Sequence, residues 1–193
     1  MGNVQNACWP KKAAIPLLPA NTGSSRSLFA YLRNVPEPEE WLNAMCQINA
    51  STLCVWPDIP EDLMQRHCNP RVRITRQPVD MGQALVQADA VLNYGSTTTV
   101  CQSLLAGKPQ LMVPADIEKI MVSRKVVGQG AGLLWQRGTG TRTDALEQLL
   151  NDRALAQAAC GIARKHPVEQ LQHNQVLFAQ AMTGNGQIYQ EKH

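Results

Sequence analysis

The sequence predicts an α/β protein built on a doubly wound parallel sheet of about six strands flanked by helices, with further helices toward the C-terminal end. Three observations carry this expectation. Short apolar runs of strand length alternate with helix-like runs about six times. The connections between them are short. After the last strand-like run, at 132–135, only helical patterns follow. A chain of 193 residues is enough for one well-filled domain and marginal for two.

The elements follow in order. Residues 1–26 are rich in Pro, Asn, Ser and Gly and read as a linker or loosely packed lead-in. SLFAYL at 27–32 is an apolar run bounded by Arg26 and Arg33 and reads as a buried strand. PEPEE at 36–40 places prolines and acids where a helix starts, and Trp41, Leu42, Met45 and Ile48 recur at helical spacing. TLCVW at 52–56 is a second strand. Pro60, Glu61 and Asp62 open a helix carrying Leu63 and Met64, and 72–74 is a short third strand. Asp80 caps a helix over 81–88. A strand at 90–92, a helix at 97–105, a stop at Gly107-Lys108-Pro109 and a strand at 110–113 ended by Pro114 come next. A helix over 118–127 is closed by Gly128, and a last strand covers 132–135. Helices are predicted at 143–150, 152–165 and 168–182, with a flexible tail at 183–193.

Composition narrows the function. Apolar residues make up 44% and charged residues 17%, as in an ordinary folded domain. A net charge of +3 is not the basic footprint of a nucleic-acid binder. No apolar run reaches the ~20 residues of a bilayer span, and the N-terminal stretch has no signal-peptide pattern. A cytoplasmic setting is expected. The six cysteines, at 8, 46, 54, 68, 101 and 160, show no C-x-x-C and read as buried or half-buried free thiols. The four histidines have no metal-ligand spacing, so no metal site is expected.

The most informative stretch is YGSTTT at 94–99, where a strand ends and a helix begins. At that place in a parallel sheet, free backbone N–H groups and the positive end of the helix dipole converge. Gly95 allows positive φ and close approach of a ligand. Ser96, Thr97 and Thr98 are N-cap types whose hydroxyls can serve either the helix or a phosphate. A helix start with several hydroxyls and no acid suits a diphosphate. A capped helix that binds nothing is the plainer reading of the same residues. The stretch is neither a P-loop nor a G-x-G-x-x-G fingerprint.

The order Gly95-Ser96-x-x-Thr99-x-x-Gln102-x-Leu104, then Gly107-x-Pro109, Pro114, Glu118-Lys119 and Gly130-x-Gly132, resembles the donor-binding half of GT-B glycosyltransferases. The likeness is to the family of UDP-glucuronosyltransferases, plant glucosyltransferases and bacterial macrolide and antibiotic glycosyltransferases. It covers about residues 27–182 and is most specific over 91–132. The resemblance implies a Rossmann-like domain that binds a nucleoside-diphosphate sugar of the UDP or dTDP type, with no cofactor and no metal. It implies inverting sugar transfer to an acceptor. The turn Gly95–Thr99 corresponds to the diphosphate site, with Tyr94 at its head. Gln102 stands where the family has a ribose-binding acid, and Glu118 and Lys119 where it has a sugar-reading Asp-Gln pair. The loop 77–81, with Val79, corresponds to the base contact. Arg33, beside Asn34, corresponds to a position near the phosphates or the cleft. No residue of this half is catalytic in the family pattern, because the His base comes from an N-terminal acceptor domain. That domain is expected as a partner, in cis or as a separate chain, and 1–26 as the linker to it. Without it the chain is expected to be inactive.

The sequence departs from the family at Tyr94 (His), Ser96 (Gly), Gln102 (Glu) and Glu118-Lys119 (Asp-Gln). An amide offers one acceptor and two donors where a carboxylate accepts both ribose hydroxyl protons. Lys119 adds a cation, which points to an acidic sugar or a remodelled site. A binding or assembly module with a decayed site is the alternative these changes favour. Hydrolysis or epimerisation of a UDP-sugar in the same cleft needs acids and a His that the sequence barely supplies.

Other residues have structural readings. Trp41 and Trp56 fall in core patterns, and Trp135 at a strand end is the more open. Arg71, Arg73 and Arg76 read as a solvated edge, and Arg124 and Lys125 as helix surface. Glu37, Glu39 and Glu40 suit a helix N-terminus.

Overall fold

The structure, a computed structural model, describes residues 18–19, 26–138 and 140–166. Most of the 1–26 lead-in, the helix expected at 168–182 and the tail at 183–193 lie outside these residues.

Among the described residues strands and helices alternate as six strands and seven helices, the last two helices consecutive: β1 (Ser27–Tyr31), α1 (Pro38–Gln47), β2 (Ser51–Val55), α2 (Glu61–His67), β3 (Val72–Thr75), α3 (Met81–Gln87), β4 (Ala90–Asn93), α4 (Thr97–Leu105), β5 (Gln110–Met112), α5 (Ile117–Gly128), β6 (Gly132–Leu134), α6 (Arg142–Asn151) and α7 (Arg153–Lys165). The strands pair in parallel in the order β3-β2-β1-β4-β5-β6. From β1 at the centre the path winds outward to β3, crosses back through α3 to β4, and winds outward again to β6. β1 and β4 are therefore neighbours whose following connections run opposite ways, which opens a crevice at their carboxyl ends. Tyr31 and Asn93 lie side by side at that point.

Both faces of the sheet are covered, which is why the strands are largely apolar. Leu28, Ala30, Leu32, Leu92 and Leu111 pack on one face with Trp41, Leu42 and Met45 of α1 and Leu146 and Leu149 of α6. Phe29, Leu53, Val55 and Val91 point the other way, onto Ala84 and Leu85 of α3. Val100, Met112, Val126 and Ala159 join α4, β5, α5 and α7 on the other side of the sheet's second half.

Five of the seven described helices, α3 to α7, start at side-chain caps. Asp80 accepts from the Gln83 N–H, Asp116 from the Lys119 N–H, and Asp152 from the N–H groups of Ala154 and Leu155. Thr141 and Asp144 form a capping box at α6. Gly128 does not close α5 as expected. It is the last helical residue, and the left-handed position falls at Gly130 (φ 70°).

Four structural readings change. Trp135 is not open: it is 9% exposed and packs edge-on against Trp41 at 5.3 Å, because the Arg142 guanidinium caps both rings at 5.3 Å. That guanidinium pairs with Glu37 and Glu40, so these acids do more than complement a helix dipole. Cys68 and Cys101 are exposed, since one follows the end of α2 and the other lies on the outer side of α4. The Arg71 and Arg76 side chains are not simply solvated. Arg71 donates to the Cys46 carbonyl, and Arg76 donates to the Ile59 carbonyl and pairs with Glu61 at 2.8 Å.

Candidate functional site

The turn from Tyr94 to Thr99 sits at the β1/β4 crevice. β4 ends at Asn93, Gly95 takes φ 83°, and Ser96 caps α4. A side chain at residue 95 would be crowded. A Cβ there would lie 3.1 Å from Lys119 Cβ, 3.3 Å from Ser123 Oγ and 3.4 Å from Pro114 Cβ. The turn is thus wedged against the start of α5.

Its polar groups divide into two sets. The Gly95 N–H donates inward to Asn93 Oδ1 at 2.8 Å. The Thr99 N–H donates to Ser96 Oγ, which in turn donates to Thr99 Oγ1 at 2.9 Å. Thr99 is buried, so its hydroxyl faces the fold. The helix rule leaves the N–H groups of Ser96, Thr97 and Thr98 without intrahelical partners. Thr97 and Thr98 are also exposed. The outward set is therefore three N–H groups and two threonine hydroxyls, at the positive end of a helix dipole.

Aromatic and charged groups surround this set. Tyr31 and Tyr94 stack with ring centroids 6.0 Å apart. The Lys119 ammonium lies 5.7 Å from the Tyr94 ring centroid, a cation–π distance, and pairs with Asp116. That pairing raises the Lys119 pKa and holds the Asp116 carboxyl below its ordinary range. Burial, then the Tyr94 phenol, pushes the Tyr31 pKa up. Arg33, just past β1, pairs with Asp58 at 2.9 Å, which keeps its guanidinium firmly protonated. Arg33 and Asp58 both bear on the Tyr31 phenol, so this pair belongs to the same rim.

The remaining predicted residues are more dispersed. Gln102 is half-buried in the second turn of α4. Glu118 is exposed in the first turn of α5 and makes no ion pair among the described residues. Val79 packs at the edge of the cluster that also takes in Tyr31. Of the described histidines, His67 is buried between the Leu63 carbonyl and Asn43. His166 follows α7, whose Ala163 rests on Gly107 at the far end of α4. Among the described residues no cluster of His, Cys, Asp and Glu could hold a metal ion. No helix among them is long and apolar enough to cross a membrane. Two surface concavities, of about 350 and 500 Å³, lie between α1 and α6 and beside β6, and neither includes the turn.

Sequence reasoning missed five residues of this site. Tyr31 enters because β1 and β4 are neighbours, and Asp58, just past β2, because β2 pairs with β1. Asp116 hides as an ordinary cap. Asn93 and Gln110 are both fully buried, and they carried a signal: each is a polar amide in a strand that is otherwise apolar.

The fold so arranged recurs in known structures. Over 81% of its length the chain is similar to the glycosyltransferase SnogD from Streptomyces nogalater, at 22% identity and a TM-score of 0.64, spanning 42% of that chain. The chain shares the Rossmann-like α/β fold of that structure. It is likewise similar to the spinosyn rhamnosyltransferase SpnG complexed with spinosyn aglycone, at 20% identity and a TM-score of 0.67 over 81% of this chain and 45% of that one. The glycosyltransferase VinC in complex with DTDP is similar at 20% identity and a TM-score of 0.61, over 74% of this chain and 38% of that one. The chain spans less than half the length of each of these three proteins. No family model and no curated relative matches it.

Proposed function

We propose that this chain is the donor-binding domain, about residues 27–182, of an inverting, metal-independent GT-B glycosyltransferase of the macrolide and antibiotic type. The observation that carries the reading is the placement of the outward N–H groups of Ser96, Thr97 and Thr98 at the β1/β4 crevice. Three N–H donors, two hydroxyls and a helix dipole match a diphosphate without calling on a metal. A similar fold solved with DTDP supports the same ligand class.

In this reading the donor is a UDP- or dTDP-sugar, and no other cofactor is needed. Its diphosphate lies on the Tyr94–Thr99 turn with Arg33 nearby. Gln102 serves the ribose, Glu118 and Lys119 the sugar, and the loop carrying Val79 the base. The general base comes from an N-terminal acceptor domain, in cis or as a separate chain. Transfer therefore requires that partner, since proximity and base catalysis both depend on it. The setting is cytoplasmic.

Isothermal titration with UDP and with dTDP tests the assignment. Saturable binding of at least one is expected, weakened by Gln102→Ala. Thr97→Pro is the sharper variant. It deletes an outward N–H at the first helical position, where proline is tolerated, and Ser96 already has the extended ψ of 136° that proline requires of its predecessor. Affinity is expected to fall about tenfold more than in Thr97→Ala. If neither nucleotide binds at millimolar concentration, the donor-site assignment fails and a binding or assembly module remains.

A further inference from the structure

Asn93 and Gln110 are both fully buried, at the end of β4 and the start of β5. A buried amide is costly unless it is hydrogen-bonded. Here each has partners. Asn93 Oδ1 accepts the Gly95 N–H at 2.8 Å, Asn93 Nδ2 donates to Gln110 Oε1 at 2.9 Å, and Gln110 Nε2 donates to the Val100 carbonyl at 3.0 Å.

The polarity of this relay is forced from both ends. The Gly95 N–H can only donate, so the Asn93 oxygen must face it. The Val100 carbonyl can only accept, so the Gln110 nitrogen must face it. The middle bond then has one direction, and neither amide can flip without breaking two bonds. The relay grips the turn on both sides of the helix start, at Gly95 before it and at Val100 within its first turn. In low dielectric, such chains are stronger and stiffer than isolated bonds.

We propose that Asn93 and Gln110 are positioning residues for the donor turn. They draw the Gly95 N–H into the fold and so aim those of Ser96, Thr97 and Thr98 at the diphosphate. This inference rests on the donor-site reading for its ligand, but not for the conformation it assigns.

The test uses the full chain in three forms: Asn93→Leu, Gln110→Met and the double variant. Asn93→Leu strands the Gly95 N–H and the Gln110 oxygen, and Gln110→Met strands the Asn93 nitrogen, while the Val100 carbonyl keeps its bond within α4. The double variant removes both amides and strands the Gly95 N–H alone, one group fewer than Asn93→Leu, so its unfolding midpoint is expected to recover above that of Asn93→Leu. A purely structural role would restore nucleotide affinity along with it. A positioning role predicts that the double variant still binds dTDP about tenfold more weakly than wild type. Amide hydrogen exchange without ligand reads the conformation directly. Exchange at Gly95 is expected to quicken at least about tenfold in Asn93→Leu and in the double variant. Unchanged exchange over 95–99 overturns the inference, as does dTDP affinity that returns with stability. If the wild type binds neither dTDP nor UDP, the donor-site reading fails, and exchange alone decides whether the amide pair sets the turn.

Discussion

Gly95→Ala probes the turn most directly, and the structure sets its size. The native φ of 83° lies in the left-handed region, where an alanine costs about 1–2 kcal/mol. The added methyl also meets Lys119 Cβ at 3.1 Å, Ser123 Oγ at 3.3 Å and Pro114 Cβ at 3.4 Å. None of these is the free end of a flexible side chain. Lys119 Cβ is fixed to the α5 backbone, and Ser123 Oγ is tied to the Lys119 carbonyl at 2.7 Å. Relief requires α5 to move, and such overpacking costs about 1–3 kcal/mol. The expected loss is about 3 kcal/mol, or about 10 °C in Tm for a domain of this size. Gly138→Ala is the control. Gly138 has φ 86° and nothing within 4 Å of where an added methyl would stand, so only the conformational part applies. Urea unfolding followed by circular dichroism measures both variants. A Gly95→Ala loss no larger than that of Gly138→Ala would refute the wedging of the turn against α5.

Three further outcomes follow from the same geometry. Gly132→Ala places a methyl 2.6 Å from the Gln110 backbone carbonyl and 3.1 Å from Met112 and Val126. It is expected to cost about 3 kcal/mol or more in the same urea assay, and a near-neutral result would refute the close approach of β6 to β5. Arg142→Ala removes a guanidinium whose side chain is only 10% exposed, together with its contacts to two indoles and two carboxylates. Because Glu37 and Glu40 are more than a third exposed, the ion pairs count for little and the loss is expected near 2 kcal/mol. Tryptophan emission should shift to the red as Trp41 and Trp135 gain water. The Asp116–Lys119 pair predicts a pH dependence with two sides. Asp116 is depressed below 3.8 in the fold, so its contribution is full above about pH 4 and fades as pH falls through the folded value. Lys119 is raised above 10.5, so its contribution is full below about pH 10 and fades as pH rises through the folded value. Asp116→Asn should flatten both limbs of the stability profile, and unchanged limbs would refute the pairing.

The helices and strands were largely legible because their signals are local. Asp80 marks a helix start within a few residues, and the cap geometry follows it. The end of α5 was misplaced because two glycines stand two residues apart, and local pattern does not say which takes the left-handed angle. The turn at Tyr94–Thr99 was legible for the same local reason: Gly95 supplies the positive φ and Ser96 the cap. What was not legible is how its polar groups divide, since Thr99 turns inward and Thr97 and Thr98 outward only once α4 lies on the sheet.

By itself, the sequence determined the α/β class, the succession of elements and the chemistry of one strand-to-helix turn, because periodicity, caps and positive-φ glycines act over a few residues. Only the tertiary structure decided what surrounds that turn. Parallel pairing of β1 with β4 brings Tyr31 and Arg33 to it from more than sixty residues away. Packing of α5 sets Lys119 against Gly95. Arg142 finds Glu37 across 105 positions of chain. The buried amides Asn93 and Gln110 acquire their bonds only when β4 and β5 lie side by side. Each of these contacts is made by chain closure and burial, which no window of sequence contains.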